Sequence, residues 1–188
     1  MLVPAGIDRQ SGQMSSEREA VLVTGIYGSG KTSLVEEIAD RYERLGVAFG
    51  AIDLDWLSWY QLPEDSGSAP QPDLQQENLQ DVAGRYWRSG VQYLLLAGAA
   101  RDDADVHKVR SALRYPLRVI RLDTPIAVVE QRLSQIPTSG RARDLQVARD
   151  WVSRDLGRVS ADLTLPGDTP LPTLAEEVLT WLDWPRVR

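Results

Sequence analysis

The segment Gly25-Ile26-Tyr27-Gly28-Ser29-Gly30-Lys31-Thr32 carries the most specific chemical signal in the chain. Glycines let a backbone curl until successive N–H groups point at one anion, and here a lysine and a hydroxyl residue follow where a helix would begin. The spacing is G-x-x-x-x-G-K-[ST], the pattern of a loop that cradles nucleotide phosphates. Gly25, Tyr27, Gly28, Ser29, Gly30, Lys31, Thr32 and Ser33 are the expected nucleotide contacts. Lys31 would reach the β- and γ-phosphates, and the Thr32 hydroxyl would ligate Mg²⁺. Further along, Asp53-Leu54-Asp55 sets two carboxylates two residues apart, followed by Trp56, Trp59 and Tyr60. These aromatics stand at spacings that could wall an acceptor pocket, or could equally pack into a core.

The elements that must position these groups follow from the hydrophobic pattern. Ala20 to Thr24 is a short apolar run ending at Gly25, as a parallel strand buried on both faces would end. From Lys31 to Leu45 the apolar residues Leu34, Val35, Ile38, Ala39, Tyr42 and Leu45 recur at helical spacing, and Gly46 is a natural stop. A second strand over 46–52 leads into Asp53, and the polar stretch 64–72 reads as a loop. Then come a weakly amphipathic helix over 73–89, a strand over 91–97, a helix over 102–113 and a strand over 117–122. Asp123-Thr124-Pro125 closes that strand, with Thr124 placed to cap the helix 125–135 and Pro125 at its first position. Residues 137–140 break the pattern; a helix from Arg141 to about Leu156, a short strand over 162–165 and a helix over 171–182 complete the chain. Strands alternating with helices imply right-handed crossovers and one parallel sheet covered on both faces. Five strands are expected, with the Gly25 strand central and the strands ending at Asp53 and Gly98 both on one side of it. If the second strand neighbours the first, Asp55 stands beside the glycine loop and Asp53 lies deeper. One domain over 19–188 and a loose leader over 1–18 account for the whole length.

Composition removes several alternatives. There is no cysteine and a single histidine, His107, which excludes disulfides, thiolate zinc sites and cysteine nucleophiles and makes Ser-His-Asp chemistry improbable. A net charge of −6 argues against a nucleic-acid surface. The longest apolar run, Tyr93 to Ala97, is far short of a membrane span, and the first residues lack a secretory signal, so a cytoplasmic protein is expected. No Asn/Thr-Lys-x-Asp segment is present to read guanine. The strand Leu95-Leu96-Ala97 runs into Gly98-Ala99-Ala100-Arg101, without the acidic residue that motor-type ATPases place there.

In the order and spacing of these features from Ala20 onward, the chain resembles the small P-loop kinases of the shikimate, gluconate, adenylylsulfate and chloramphenicol phosphotransferase group. The resemblance implies a three-layer α/β/α P-loop fold, nucleoside-kinase-like, with a lid at about 137–150. It implies ATP and Mg²⁺ as cofactors and transfer of the γ-phosphate to a hydroxyl of a metabolite or natural product. By position, Asp53 becomes the metal-side carboxylate and Asp55 the base facing the acceptor. Arg141 and Arg143 become the lid arginines that close on the phosphates, with Arg132 one helix earlier. The usual lid pattern is reduced here to two arginines close together. Gly98 matches a point where substrate approaches the backbone, and Arg101 is available for a hydroxyl or acid group of an acceptor held near Trp56 and Trp59. The implied partner is a small hydroxyl compound, with neither nucleic acid nor membrane, in a monomer or a homodimer. A nucleoside or nucleotide kinase, with Trp56 or Trp59 stacked on a base, and a non-catalytic ATP-binding module are the alternatives.

Overall fold

A computed structural model describes residues 18–60, 73–135 and 139–184, without the side chains of 139–141. The expected leader up to residue 17, the polar loop 64–72 and the start of the lid at 137–138 lie outside the described residues. Arg18, read from sequence as part of that leader, is held: it donates to the Tyr115 hydroxyl at 2.7 Å and to the Trp87 carbonyl at 3.1 Å.

Five strands are described: β1 (Glu19–Thr24), β2 (Phe49–Asp53), β3 (Tyr93–Ala97), β4 (Leu117–Asp123) and β5 (Leu163–Pro166). All pair in parallel, in the order β2-β3-β1-β4-β5. Every residue of β3, and every residue of β1 after Glu19, is buried, which is why both read as continuous apolar runs. The central place of β1 and the position of the other two site strands on one side of it are as the sequence predicts. The condition of a β2 neighbouring β1 is not met: β3 lies between β1 and β2, so the carboxylate-bearing strand is at the edge. Local sequence carries no information on which strand inserts there.

The helices are α1 (Lys31–Arg44), α2 (Leu74–Arg88), α3 (Asp103–Leu113), α4 (Ile126–Ser134), α5 (Ser139–Ser153) and α6 (Leu171–Leu182). Alternation along β1 divides the core: Val21 and Val23 face α1 and α6, packing with Ile38, Tyr42, Leu174 and Val178. Ala20 and Leu22 face α2 and α3, among Leu79, Trp87, Val106 and Leu113. The result is the three-layer α/β/α architecture. A third, smaller cluster of Val129, Leu133 and Ala148 joins α4 and α5 and packs with Ile26 and Tyr27 of the glycine loop.

Two details differ from the sequence reading. β2 runs directly into a 3₁₀ turn, Leu54–Ser58, that periodicity does not show. Thr124 does not cap α4, which begins after Pro125 with no side-chain cap. Its hydroxyl is turned inward, donating to the Ser29 carbonyl at 3.3 Å, and a Cβ at Gly167 would stand only 1.8 Å from it. At the opposite end of the sheet, Glu19 accepts hydrogen bonds from Trp184 Nε1 at 2.7 Å and Arg118 Nη2 at 3.0 Å. Arg118 also donates to the Leu182 carbonyl at 2.8 Å, and Trp184 stacks on Tyr93 with centroids 4.3 Å apart.

Candidate active site

β1 delivers the chain into the glycine loop, and α1 leaves it. Gly30 has φ 102° and Gly28 φ 78°, conformations that L side chains rarely adopt. At Gly28 an added Cβ would also stand 2.9 Å from Leu133 Cγ and Val129 Cγ1, so the loop can pass beneath α4 only as glycine. The N-terminus of α1 has no side-chain cap, and Thr32 and Ser33 face solvent, leaving a first turn of amides and hydroxyls suited to an anion. Ser29 Oγ is buried and has no hydrogen-bond partner among the described residues. An orphaned hydroxyl inside a phosphate cradle is chemically suited to a ligand oxygen.

Lys31 is buried beside this loop. Its ammonium donates to the Ile26 carbonyl at 3.0 Å and lies 5.3 Å from the centre of the Tyr27 ring. Burial lowers its pKa, while Asp55, Asp53 and Asp144 act to raise it. Tyr27 is pushed up to about 12 by burial, reinforced by Asp55, Asp144 and Asp53. Its ring meets Trp151 edge-on at 5.8 Å.

The edge position of β2 does not keep its carboxylates away. Thr32 donates to Asp53 Oδ2 at 2.9 Å, and the other oxygen of Asp53 accepts the Asp55 backbone N–H at 3.0 Å, capping the 3₁₀ turn. Asp53 is therefore fixed from both sides. A hydroxyl and a carboxylate in contact offer two hard oxygens, a donor set that would suit a hard divalent cation such as Mg²⁺. Among the described residues no group of three or more His, Asp or Glu side chains could hold a metal alone. Asp55 is open to solvent on one side, yet desolvation raises its pKa, helped by Asp53 and Asp144 and opposed by Lys31.

The remaining sequence candidates are placed less uniformly. Trp56 and Trp59 are largely exposed, 67% and 72%, with ring centroids 4.7 Å apart. Gly98 has a packing reason: a Cβ there would lie 2.7 Å from Leu54 Cδ1, so the glycine admits Leu54. Arg101 is bound by Asp105, Nε to Oδ2 at 2.8 Å and Nη2 to Oδ1 at 2.9 Å. Arg143 is exposed on α5, and the side chain of Arg141 lies outside the described residues. A cavity of ≈ 500 Å³ lined by Arg18, Trp87 and Tyr115 lies at the N-terminal edge of the sheet, remote from these groups.

Two contributors take roles that sequence reasoning does not give them. Arg132, on α4, donates through Nη1 to the Ser29 carbonyl at 3.0 Å and through Nη2 to the Gly167 carbonyl at 2.9 Å. It thus ties the glycine loop to the turn between β5 and α6 across partners 103 and 35 residues distant, and no local signal marks it. Asp144, on α5, acts on Tyr27, Lys31 and Asp55 together.

Comparison with solved structures shows this fold in kinases. The chain is similar to a sugar kinase from a Janibacter species, with TM-score 0.61 and 23% identity over 88% of this chain and 95% of that one. A gluconokinase from Sinorhizobium meliloti aligns with TM-score 0.56 and 22% identity over 88% and 91%. An APS kinase from Mycobacterium tuberculosis in complex with AMPPNP and APS aligns with TM-score 0.56 and 20% identity over 89% and 99%. No protein-family model matches the sequence, and no curated protein matches it. At these identities the likeness establishes the three-layer P-loop kinase fold.

Proposed function

We propose that the chain is an ATP-dependent kinase that transfers the γ-phosphoryl group to a hydroxyl of a small acceptor. The observation that carries this reading is the second carboxylate. A nucleotide-binding module needs the glycine loop, Lys31, Thr32 and Asp53, but it has no use for Asp55, held two residues beyond Asp53 and within electrostatic reach of Lys31. The named activities of the structural neighbours, a sugar kinase and a gluconokinase, support it.

In this reading the loop amides and the first turn of α1 bind the β- and γ-phosphates. The Lys31 ammonium exchanges the Ile26 carbonyl for phosphate oxygens and spreads its charge over the transferring group. Thr32 and Asp53 would hold Mg²⁺, which when bound would supply neutralising charge at the phosphates. Asp55 orients the acceptor hydroxyl and takes its proton as the new O–P bond forms and the bond from the γ-phosphorus to the β,γ-bridging oxygen breaks, leaving ADP. The raised pKa of Asp55 makes it a stronger base than an ordinary carboxylate. Arg143, with Arg141, is placed in sequence to reach the phosphates when the lid segment closes, and Trp56 and Trp59 face the acceptor.

The test is ADP release with ATP and Mg²⁺ against neutral sugars, amino sugars, sugar acids and nucleosides, with products read by mass. One acceptor class should give ADP together with its phosphate ester, and Lys31→Met should abolish both. Tight nucleotide binding with no acceptor-dependent ADP across the panel would make the protein a nucleotide-binding module instead.

A further inference from the structure

The cavity of ≈ 500 Å³ at the N-terminal edge of the sheet takes no part in the reaction proposed above. β1 begins beside it, and α2 and α3 both end there, at Arg88 and Leu113. Its volume falls within the roughly 300–1,000 Å³ of small-molecule sites. Leu113, Trp87 and Tyr115 supply an apolar wall, in which the Trp87 and Tyr115 rings stand 5.1 Å apart, centre to centre. Arg18 pins that wall in place. Its guanidinium is bonded to the Tyr115 hydroxyl and the Trp87 carbonyl, and it lies 5.5 Å from the centre of the Tyr115 ring.

Two residues of the lining go against local preference. Gly84 stands in the interior of α2, where alanine would hold the helix better. A Cβ added there would meet Arg88 Nη1 at 3.3 Å and no other neighbour within 4 Å, so the bare turn leaves room for a guanidinium laid back along the helix. Arg114 is the C-cap of α3 with φ 59° and ψ 17°, the left-handed conformation in which helices usually end on glycine. Arg110 already brings a cation to the last turn of α3, so the helix dipole does not require a second one. The side chains of Arg88 and Arg114 are exposed and form no ion pair or hydrogen bond with the described residues. Departures from local preference that converge on one cavity point to a function for it.

Charge selects the ligand. The guanidinium groups of Arg18, Arg88 and Arg114 share the lining with one carboxylate, Asp81. The lining stays positive even when the C-terminal ends of α2 and α3 are each counted as about half a negative charge. Guanidinium forks without partners match the paired oxygens of an acid group, and a wall of two rings favours a flat apolar body.

We propose that this cavity is a second binding site, for a small aromatic anion whose acid group is met by Arg88 and Arg114 and whose ring lies against Leu113, Trp87 and Tyr115.

Calorimetric titration of the full chain tests this without reference to catalysis. The probes share one ring system: naphthalene-1-acetate, 1-naphthyl phosphate and the neutral 1-naphthaleneacetamide. At least one of the two anions should saturate at about 1 mM or tighter, as a ligand of this size can. The tighter of them tells a carboxylate ligand from a phosphate ester. The amide should bind about tenfold or more weakly than the acetate or the phosphate, whichever is tighter. The same affinity is expected with and without AMPPNP and Mg²⁺. Saturation by neither anion, equal binding of the amide, or loss of binding on addition of nucleotide overturns the proposal. Two variants locate the site. Arg114→Gly removes a cation and relieves the left-handed C-cap, so affinity should fall about tenfold while the melting temperature is kept or raised. Gly84→Leu fills the cavity from a helix that leucine favours, and should abolish binding without lowering the melting temperature. Affinity kept in either variant, or a lowered melting temperature in both, overturns the proposal.

Discussion

Replacing Asp55 by Asn separates the chemistry of the site from its stability, because the two should move in opposite directions. The side chain keeps its size, and the backbone hydrogen bond from residue 55 to Asp53 at 3.0 Å is untouched, so the metal-side carboxylate and the 3₁₀ turn should hold. What disappears is the base. General-base removal costs about 10²–10⁴-fold, and because the loose phosphoryl-transfer transition state demands little proton abstraction, a fall near 10² in kcat is expected, about 2.7 kcal/mol of barrier. Stability should respond the other way. The folded state raises the pKa of Asp55 above its ordinary value, chiefly through desolvation, so folding favours the protonated acid. That penalty on the carboxylate is absent below the ordinary carboxylate range, grows as pH rises through the raised pKa, and is complete above it. At pH 7 Asp55→Asn should therefore melt higher than the unmodified protein, and near pH 3 the gain should vanish. The assays are acceptor-dependent ADP formation, calorimetric nucleotide affinity and thermal melting at both pH values. Unchanged turnover would reject the base assignment; a parallel loss of ATP affinity would make Asp55 a metal or folding residue. A lower melting point at pH 7 would refute the desolvation argument.

Lys31→Met keeps the buried stem and removes a cation that burial disfavours, so turnover should fall by about 10³-fold or more while thermal stability is kept or raised. Arg132→Met should lower unfolding free energy by about 2 kcal/mol, since two charge-assisted hydrogen bonds are lost from a half-buried position. Arg132→Lys should rescue little, because one ammonium cannot span both carbonyls; urea denaturation and nucleotide titration decide both. Gly167→Ala should cost about 1–3 kcal/mol through its clash with the Thr124 hydroxyl. Combining it with Thr124→Ala should recover much of that loss, and strict additivity in the double variant would refute the contact.

The glycine loop was legible because its function is local: three glycines, a lysine and a hydroxyl must fall within one short segment, Gly25 to Thr32, for one backbone curl to hold phosphate. Strand identity was legible for β1 and β3, where burial on both faces leaves continuous apolar runs. Strand order was only half legible. The sides were assigned from the need to face the γ-phosphate, but the insertion of β3 between β1 and β2 depends on crossover packing that no short segment encodes. Side-chain partners were the least visible. Thr124 has the type and position of a cap, and tertiary contact with Ser29 and Gly167 overrides that local preference. Arg101 and Asp105 stand at i,i+4 spacing, a pattern that predicts their pairing and was available in the sequence. Arg132 offered nothing comparable, since both of its acceptors are backbone carbonyls brought near by the fold.

The clasp of Glu19, Arg118 and Trp184 has a topological meaning. Residues 19 and 184 are 165 positions apart along the chain, yet their side chains meet at 2.7 Å, on the edge of the sheet opposite the glycine loop. The polypeptide between them is nearly a closed circle. A circularly permuted chain that joins 184 to 19 through a short peptide and opens at Gly90, whose Cα has open space beside it and which lies on the same remote edge, would keep every strand in register. New ends placed there would carry reporter domains or surface tethers on the face turned away from nucleotide and acceptor.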